Sequence, residues 1–159
     1  MQPMTRLVDE TAPRTCRLFR ALLAALSLSL FASHGLAGVG ADDFVTGGGW
    51  ITGTPSGERA NFGFKGGSDV NGATFGHLNY VDHGTGLHVK STSITGYVIV
   101  DATTREISGT AEADGASVAF VLTVSDAGEP GRTDTFELSL SDGYTASGTL
   151  QGGNVQLHG

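Results

Sequence analysis

The chain has 159 residues, of which nine are basic and sixteen are acidic, so its formal net charge is −7 at neutral pH. An acidic surface repels nucleic acid and anionic lipid, and neither is expected as a partner. The length suits one domain together with a short extra segment.

Residues 1–41 have the pattern of a secretory signal peptide. Arginines up to Arg20 precede the apolar run 21–32, and small residues fit a cleavage site after Ala41 rather than after Ala37. The run is shorter than the roughly 20 apolar residues that span a membrane. We therefore expect a secreted protein, extracellular or periplasmic, with no membrane span after processing.

Residues 42–159 form the predicted extracellular domain. It contains no cysteine, because the single Cys16 belongs to the signal peptide, and its five basic and fourteen acidic residues give a formal charge of −9. A secreted domain without disulfides depends on its apolar core. A domain of 118 residues is long enough to bury about two-thirds of its unfolded surface.

Short alternating apolar runs recur between turn residues throughout this domain, and no segment has a helical period. The pattern is typical of an all-β protein. The strands predicted first in chain order are 44–52, 60–65, 76–81, 87–90 and 94–100. Between the third and fourth of these, opposing Tyr80 to Leu87 gathers the apolar residues on one face and places His77 diagonal to His88 on the other.

The two later hairpins are specified by their turns. Asp114 and Gly115 predict a two-residue primed turn, and Gly143 fits a three-residue loop with a left-handed glycine. Each register sets a phenylalanine against a glycine whose backbone the ring can cover. The pairs are Phe120 with Gly109 and Phe136 with Gly148.

The two ends of the domain are predicted to meet. Residues 46–53 and 152–158 each combine a glycine run with a short strand pattern, and pairing them removes two open sheet edges. The glycine pair that opens the second stretch is expected to turn the chain so that Leu150 meets Val155. We predict a single antiparallel β-barrel or barrel-like sandwich of about nine short strands, with the first and last strands paired. A Greek-key crossing over the 66–75 loop is the alternative connection.

Several stretches of the domain are similar to one known family. They lie at 45–51, 60–64, 80–87, 93–96, 126–136, 143–150 and 152–158. In sequence and order they resemble the post-choice-of-anchor domain, a β-rich module of secreted bacterial proteins that often follows other extracellular domains. The resemblance covers essentially the whole domain, and it implies no catalytic residues, since the family has no established activity.

The loop 126–134 is the most concentrated acidic segment. Asp126, Glu129 and Asp134 would supply oxygen ligands to Ca²⁺, which takes six to eight of them and tolerates irregular loops. The alternative is a hairpin loop in which Asp126 and Asp134 accept local backbone N–H groups. The nearby Arg132 favours this alternative, because it can neutralise one carboxylate.

Two further sets of side chains are candidate binding residues. His77, His83 and His88 lie in one predicted hairpin. Zinc needs three or four ligands at tetrahedral angles, and His83 is in the loop, away from the strand positions of His77 and His88. We therefore interpret the three histidines as solvent-facing polar residues. Aromatic side chains would line a carbohydrate or peptide surface, or else belong to the core. These aromatic candidates are Trp50, Tyr80, Tyr97 and Tyr144.

No catalytic constellation is visible in the predicted domain. It has no Gly-x-Ser-x-Gly elbow and no thiol, and its carboxylates show no spacing typical of a glycosidase pair. We predict a secreted, non-catalytic β module for extracellular or cell-surface interaction with a protein or glycan. The alternatives are a small-ligand-binding β-barrel and a calcium-stabilised accessory domain.

Overall fold

The computed structural model describes residues 42–159, and the predicted signal peptide lies outside these described residues. Within them the chain forms a single sheet of nine antiparallel strands and no helix, hence none that could cross a membrane. The strands are β1 (Asp43–Ile51), β2 (Ala60–Ser68), β3 (Thr74–Asp82), β4 (His88–Ile99), β5 (Thr104–Ala113), β6 (Ala116–Ser125), β7 (Thr135–Leu140), β8 (Thr145–Thr149) and β9 (Gly152–His158).

The sheet is a meander that curls into a half-barrel. Its order is β8-β7-β6-β5-β4-β3-β2-β1-β9, so each strand from β1 to β8 lies beside the next, and β9 returns to pair with β1. The all-β prediction and the pairing of the first and last strands are both confirmed. The Greek-key alternative over residues 66–75 is wrong, because β2 and β3 are direct neighbours.

The predicted hairpin about Gly152 and Gly153 is also wrong, since β8 and β9 lie at opposite ends of the strand order. The Gln151 N–H donates to the Trp50 carbonyl at 2.9 Å, so the chain crosses to the β1 side without reversing. The glycines serve close backbone approach instead. A Cβ added to Gly153 would lie 2.1 Å from the Gly48 carbonyl oxygen.

Turn chemistry decides the registers of the two later hairpins. Asp114 has a φ of 49° and Gly115 a φ of 86°, as a primed turn requires, and Gly143 has a φ of 98°. Both predicted registers are confirmed, with Phe120 facing Gly109 and Phe136 facing Gly148.

The hairpin between β3 and β4 differs from the prediction by two residues. Tyr80 opposes Val89 instead of Leu87. The cause is a longer loop, which the Asp82 N–H closes by donating to the Leu87 carbonyl at 3.0 Å. A shift of two residues keeps every side chain on its predicted face, because strand side chains alternate with a period of two.

Aromatic and aliphatic side chains fill the inner side of the curled sheet. Phe136 is fully buried and stacks on Phe62, with ring centroids 4.1 Å apart, and on Tyr80 at 5.9 Å. Phe64 covers Gly47, where an added Cβ would lie 2.5 Å from the ring. Residues 42–159 form one layer, and the alternate side chains of its strands point away from this interior.

Candidate functional site

Four neighbouring strands, β9, β1, β2 and β3, share an outer face that we call the glycine face. Alternate residues of a strand point to the same side, and the ladder registers arrange sixteen of them in four rows. From one end to the other the rows are His158, Phe44, Gly67 and Phe75; Gln156, Thr46, Lys65 and His77; Asn154, Gly48, Gly63 and Asn79; Gly152, Trp50, Asn61 and Val81.

The glycine face carries no carboxylate, although residues 42–159 contain fourteen. Lys65 contributes a full positive charge. Four amide side chains lie on the face, of which Asn154 already donates to Glu129 and Asn61 already accepts from Arg59. The four amides belong to Asn61, Asn79, Asn154 and Gln156. The face is therefore a neutral-to-basic surface on an acidic domain.

One end of the glycine face is built from packed rings. The Phe44 and His158 rings stack with centroids 4.4 Å apart, and the Thr46 hydroxyl lies 3.0 Å from His158 Nε2. The Lys65 ammonium lies 4.7 Å from the centre of the Phe44 ring and 5.3 Å from that of Phe75. These are cation–π distances, so the two rings position the ammonium.

The other end of the glycine face is organised around Trp50. Its indole covers Gly152, where an added Cβ would lie 2.6 Å from the indole nitrogen. The Arg59 guanidinium lies 4.6 Å from the centre of the Trp50 ring, and Arg59 Nε donates to the Asn61 amide oxygen at 2.8 Å. An aromatic ring and an amide, rather than a carboxylate, thus hold this guanidinium.

Between the two ends the glycine face is a trough floored by backbone. A Cβ added to Gly63 would meet no atom within 4 Å, and one added to Gly48 would meet only the Phe62 carbonyl oxygen, at 3.8 Å. A cavity of about 290 Å³ borders Gly48 together with Thr46 and Gln156. An extended ligand can therefore approach the sheet closely here.

The four aromatic residues predicted for a binding surface do not lie together. Trp50 is on the glycine face, whereas Tyr80 is only 1% exposed and belongs to the core. Tyr144 lies beside Tyr80, their hydroxyl oxygens 2.6 Å apart, and Tyr97 lies at the opposite end of the interior. The glycine face includes only Trp50 and His77 from the predicted set.

The two histidines predicted to lie diagonal to each other are separated by the corrected register. His77 is on the glycine face opposite Lys65, and His88 opposes Val81. Within residues 42–159, no three His, Cys, Asp or Glu side chains are grouped so as to hold a metal ion. The histidines therefore act as separate polar residues in this arrangement.

The three carboxylates predicted as calcium ligands each accept a hydrogen bond from β9. The pairs are Asp126 with the Leu157 N–H at 3.1 Å, Glu129 with the Asn154 side chain at 2.9 Å and Asp134 with the Val155 N–H at 2.8 Å. Asp126 and Asp134 also accept the local N–H groups of Gly128 and Ala127, as the hairpin-loop alternative describes. Calcium binding at this loop stays a prediction.

One end of the interior, which we call the arginine end, consists of Asp43, Tyr97 and Arg105. A salt bridge joins Arg105 to Asp43 there. Arg105 Nε and Nη2 donate to the two Asp43 oxygens at 2.9 and 3.0 Å, and the Tyr97 hydroxyl donates to the same carboxylate. The Arg105 hydrogen bonds lower the pKa of Asp43, and Asp43 raises the pKa of Arg105. Burial, helped by the Asp43 carboxylate, raises the pKa of Tyr97.

The opposite end, which we call the tyrosine end, consists of Tyr80, Asp82 and Tyr144. Asp82 is fully buried and accepts the Tyr144 hydroxyl at 2.9 Å and the Gly84 N–H at 2.8 Å. Since the Tyr144 proton points to Asp82, Tyr80 donates to Tyr144. Burial opposes ionisation of Asp82, but these hydrogen bonds still hold its pKa below the usual value. Burial raises the pKa of Tyr80 to about 12.

One hydroxyl–imidazole pair lies on the glycine face, formed by Thr46 and His158. A nucleophile and base need such contact. A catalytic imidazole is also oriented by a third group, usually a carboxylate, and the sixteen positions of the face hold none.

The phenylalanine end of the glycine face was missed by reasoning from sequence. Phe44, Lys65, Phe75 and His158 are far apart in the chain, and only the ladder registers bring them together. The sequence of β1 does indicate part of this surface, because Phe44, Thr46 and Trp50 occupy even-numbered positions and therefore point to the same side of the strand. Its meaning depended on knowing the partners of β1 on both sides.

Comparisons of the chain with protein-family models, with curated proteins and with solved structures found no match. The similarity to the post-choice-of-anchor domain therefore stays a prediction. What the domain binds has to be inferred from the chemistry of the glycine face itself.

Proposed function

We propose that the protein is a secreted, non-catalytic module that holds an extracellular or cell-surface partner against the glycine face. The observation that carries this proposal is an open trough whose sixteen positions include no Asp or Glu, on an otherwise acidic domain. A surface that serves solubility alone is mixed and rich in charge. Glycines, amides and rings offer a partner close approach, hydrogen bonds and apolar contact.

The predicted export of the protein and the rigidity of the strands that form the glycine face support the same function. The signal-peptide pattern of residues 1–41 favours export, and the post-choice-of-anchor resemblance favours an extracellular role. The glycine face stands on four hydrogen-bonded strands, so its side chains are held in place before a partner arrives. The small-ligand alternative has less support, because Phe62, Tyr80 and Phe136 pack together inside the sheet.

Filling the trough tests this function. In Gly63→Trp, the new Cβ would meet no atom within 4 Å, so we expect the fold to persist. Ala119→Trp is the matched control, because Ala119 is exposed on the outer side of β6, away from the glycine face. Labelled protein would be applied to a panel of immobilised polysaccharides, peptidoglycan and matrix proteins. We expect at least one material to retain the wild type and Ala119→Trp but not Gly63→Trp.

Two results would overturn this proposal. If no material retains the protein, or if Gly63→Trp is retained as well as the wild type, the glycine face is not the working surface. If the purified protein turns over nitrophenyl esters or glycosides, and His158→Gln abolishes this turnover, the non-catalytic part is wrong. Melting temperatures of all variants would show that each one is folded.

A further inference from the structure

We propose that the partner of the glycine face is an acidic polysaccharide, meaning an extended carbohydrate chain that carries carboxylate groups. This inference rests on the proposed function and adds the chemical class of the ligand. Four features carry it: the cations that lie over the aromatic rings, the availability of these two cations, the amides beside the open trough, and the distance between the cations.

Positively charged side chains of the protein itself lie over the aromatic rings of the glycine face. Lys65 lies over Phe44 and Phe75, and Arg59 lies over Trp50. A neutral sugar would pack its apolar side against uncovered rings, as in other aromatic-lined sites. Here the rings instead hold two positive groups at the surface. The arrangement favours a ligand with negative charge.

Both of these cations are available for a ligand. The salt bridge found within residues 42–159 joins Arg105 to Asp43 in the interior, and neither Lys65 nor Arg59 has a carboxylate partner in this part of the chain. No Asp or Glu occupies the sixteen positions of the face, and the Glu129 carboxylate that the Asn154 amide binds lies at the β9 edge, two strands from Lys65. Charge-assisted hydrogen bonds from ammonium and guanidinium groups suit carboxylates.

The remaining side chains of the glycine face match a ligand rich in hydroxyl groups. Asn79 and Gln156 are exposed, and each amide offers two donors and an acceptor oxygen. Gly48 and Gly63 leave the trough between them open to the backbone. A flat sugar ring can therefore lie close to the sheet while its hydroxyl groups reach the flanking amides.

The spacing of the cations distinguishes a polysaccharide from a nucleic acid. Lys65 and Asn61, whose amide oxygen holds Arg59, are four residues apart on β2, or about 13 Å at about 3.3 Å per residue. Double-stranded DNA carries a negative charge about every 1.7 Å, and its binders neutralise many phosphates. Widely spaced cations suit a polymer with sparser charges. Because each exposed ion pair is weak, a repeating ligand is needed for affinity.

Polygalacturonate and its methyl ester provide the test, because they share a backbone and differ in their free carboxylates. In calorimetric titrations of the purified protein at low salt, we expect polygalacturonate to bind about tenfold more tightly than the ester, and added salt to reduce this difference. Lys65→Gln should weaken polygalacturonate binding about threefold to fivefold. Lys65→Arg should restore it. Lys90→Gln is the comparison variant: Lys90 is exposed and borders the glycine face beside Asn79, but it also opposes Glu112 in the ladder, so its loss should weaken binding less than the loss of Lys65.

Each other outcome would overturn a named part of the inference. Equal binding of the ester would make the ligand a neutral polysaccharide. Tighter binding of polyglutamate or double-stranded DNA would exclude carbohydrate as the preferred class. If no polysaccharide binds while Gly63→Trp still abolishes retention on another material, the inference fails and the proposed function stands. If Lys65→Arg binds as weakly as Lys65→Gln, the positive charge is not what the ligand recognises.

Discussion

The two ends of the interior hold a carboxylate in two different ways. At the arginine end, the Asp43 charge is balanced by a guanidinium, with Arg105 nitrogens 2.9 and 3.0 Å from the two carboxylate oxygens. At the tyrosine end, Asp82 is fully buried and is held by the neutral O–H of Tyr144 and backbone N–H groups. One end relies on charge pairing and the other on hydrogen bonding.

This difference teaches how strongly each end depends on one partner. A charge that is largely withdrawn from solvent is costly when it loses its counter-ion, so Asp43 depends on Arg105. A carboxylate with several neutral donors loses only one hydrogen bond when one donor is removed, so Asp82 depends less on Tyr144. The arginine end joins β1 to β4 and β5, and the tyrosine end joins β3 to the turn between β7 and β8, so both clusters help to maintain the curvature that supports the glycine face.

The largest effect is expected for Arg105→Met, which removes the counter-ion of Asp43. We expect the free energy of unfolding to fall by about 3–5 kcal/mol, measured by urea denaturation at neutral pH. Adding Asp43→Asn to the same chain should recover part of this loss, because no unpaired charge then remains. A fall below about 1 kcal/mol for Arg105→Met would place this pair among ordinary surface ion pairs.

At the tyrosine end, Tyr144→Phe should have the next largest effect. It removes the hydroxyl that donates to Asp82 and accepts from Tyr80, so about 1–3 kcal/mol of unfolding free energy should be lost. Tyr97→Phe is the matched control at the other end. Its loss should be smaller, about 0.5–1.5 kcal/mol, because Asp43 keeps both Arg105 contacts. The reverse order of these losses in urea denaturation would contradict our account of the two ends.

Local turn chemistry explains which parts of the fold could be predicted from sequence. A primed turn at Asp114 and Gly115 allows one register, and so does a left-handed Gly143. The hairpin from β3 to β4 lacks such a turn, and a two-residue shift preserves the alternation of faces. Its register depends on a loop hydrogen bond between Asp82 and Leu87 that composition does not reveal.

The site was harder to predict, for two physical reasons. Glycine pairs mark turns and also close backbone contacts, and Gly153 serves the second purpose against β1. The buried polar clusters and the ring contacts also join residues that are distant in sequence. Asp43 and Arg105 are 62 positions apart, and Thr46 and His158 are 112 apart. One sequence without known contacts does not indicate such pairs.

Acid titration compares the carboxylates of the two ends directly. The folded-state pKa values of Asp43 and Asp82 are both lowered. Each group therefore contributes stability that is present above its unfolded pKa, about 3.9, and is lost as the pH falls through the folded value. We expect the free energy of unfolding to decline below about pH 4, and to decline less steeply in Asp43→Asn and in Asp82→Asn. If both variants decline as steeply as the wild type, other carboxylates cause the acid instability.

Salt should act mainly on the arginine end, and this is the smallest effect we expect. The Asp43 side chain is 18% exposed, so mobile ions can reach its pair with Arg105, whereas Asp82 is fully buried among neutral donors. Raising sodium chloride from about 0.01 M to about 1 M should weaken the Asp43–Arg105 interaction by a few tenths of a kcal/mol. The interaction of Asp82 with Tyr144 should change by less.

Double-mutant cycles measured by urea denaturation at both salt concentrations can resolve this difference. One cycle combines Asp43→Asn with Arg105→Met, and the other combines Asp82→Asn with Tyr144→Phe. Each coupling energy cancels the general effect of salt on the fold, so only the response of the pair remains. If both coupling energies fell equally with salt, ions would have to reach Asp82 as readily as Asp43, and the tyrosine end would be open to solvent rather than sealed by its hydrogen bonds.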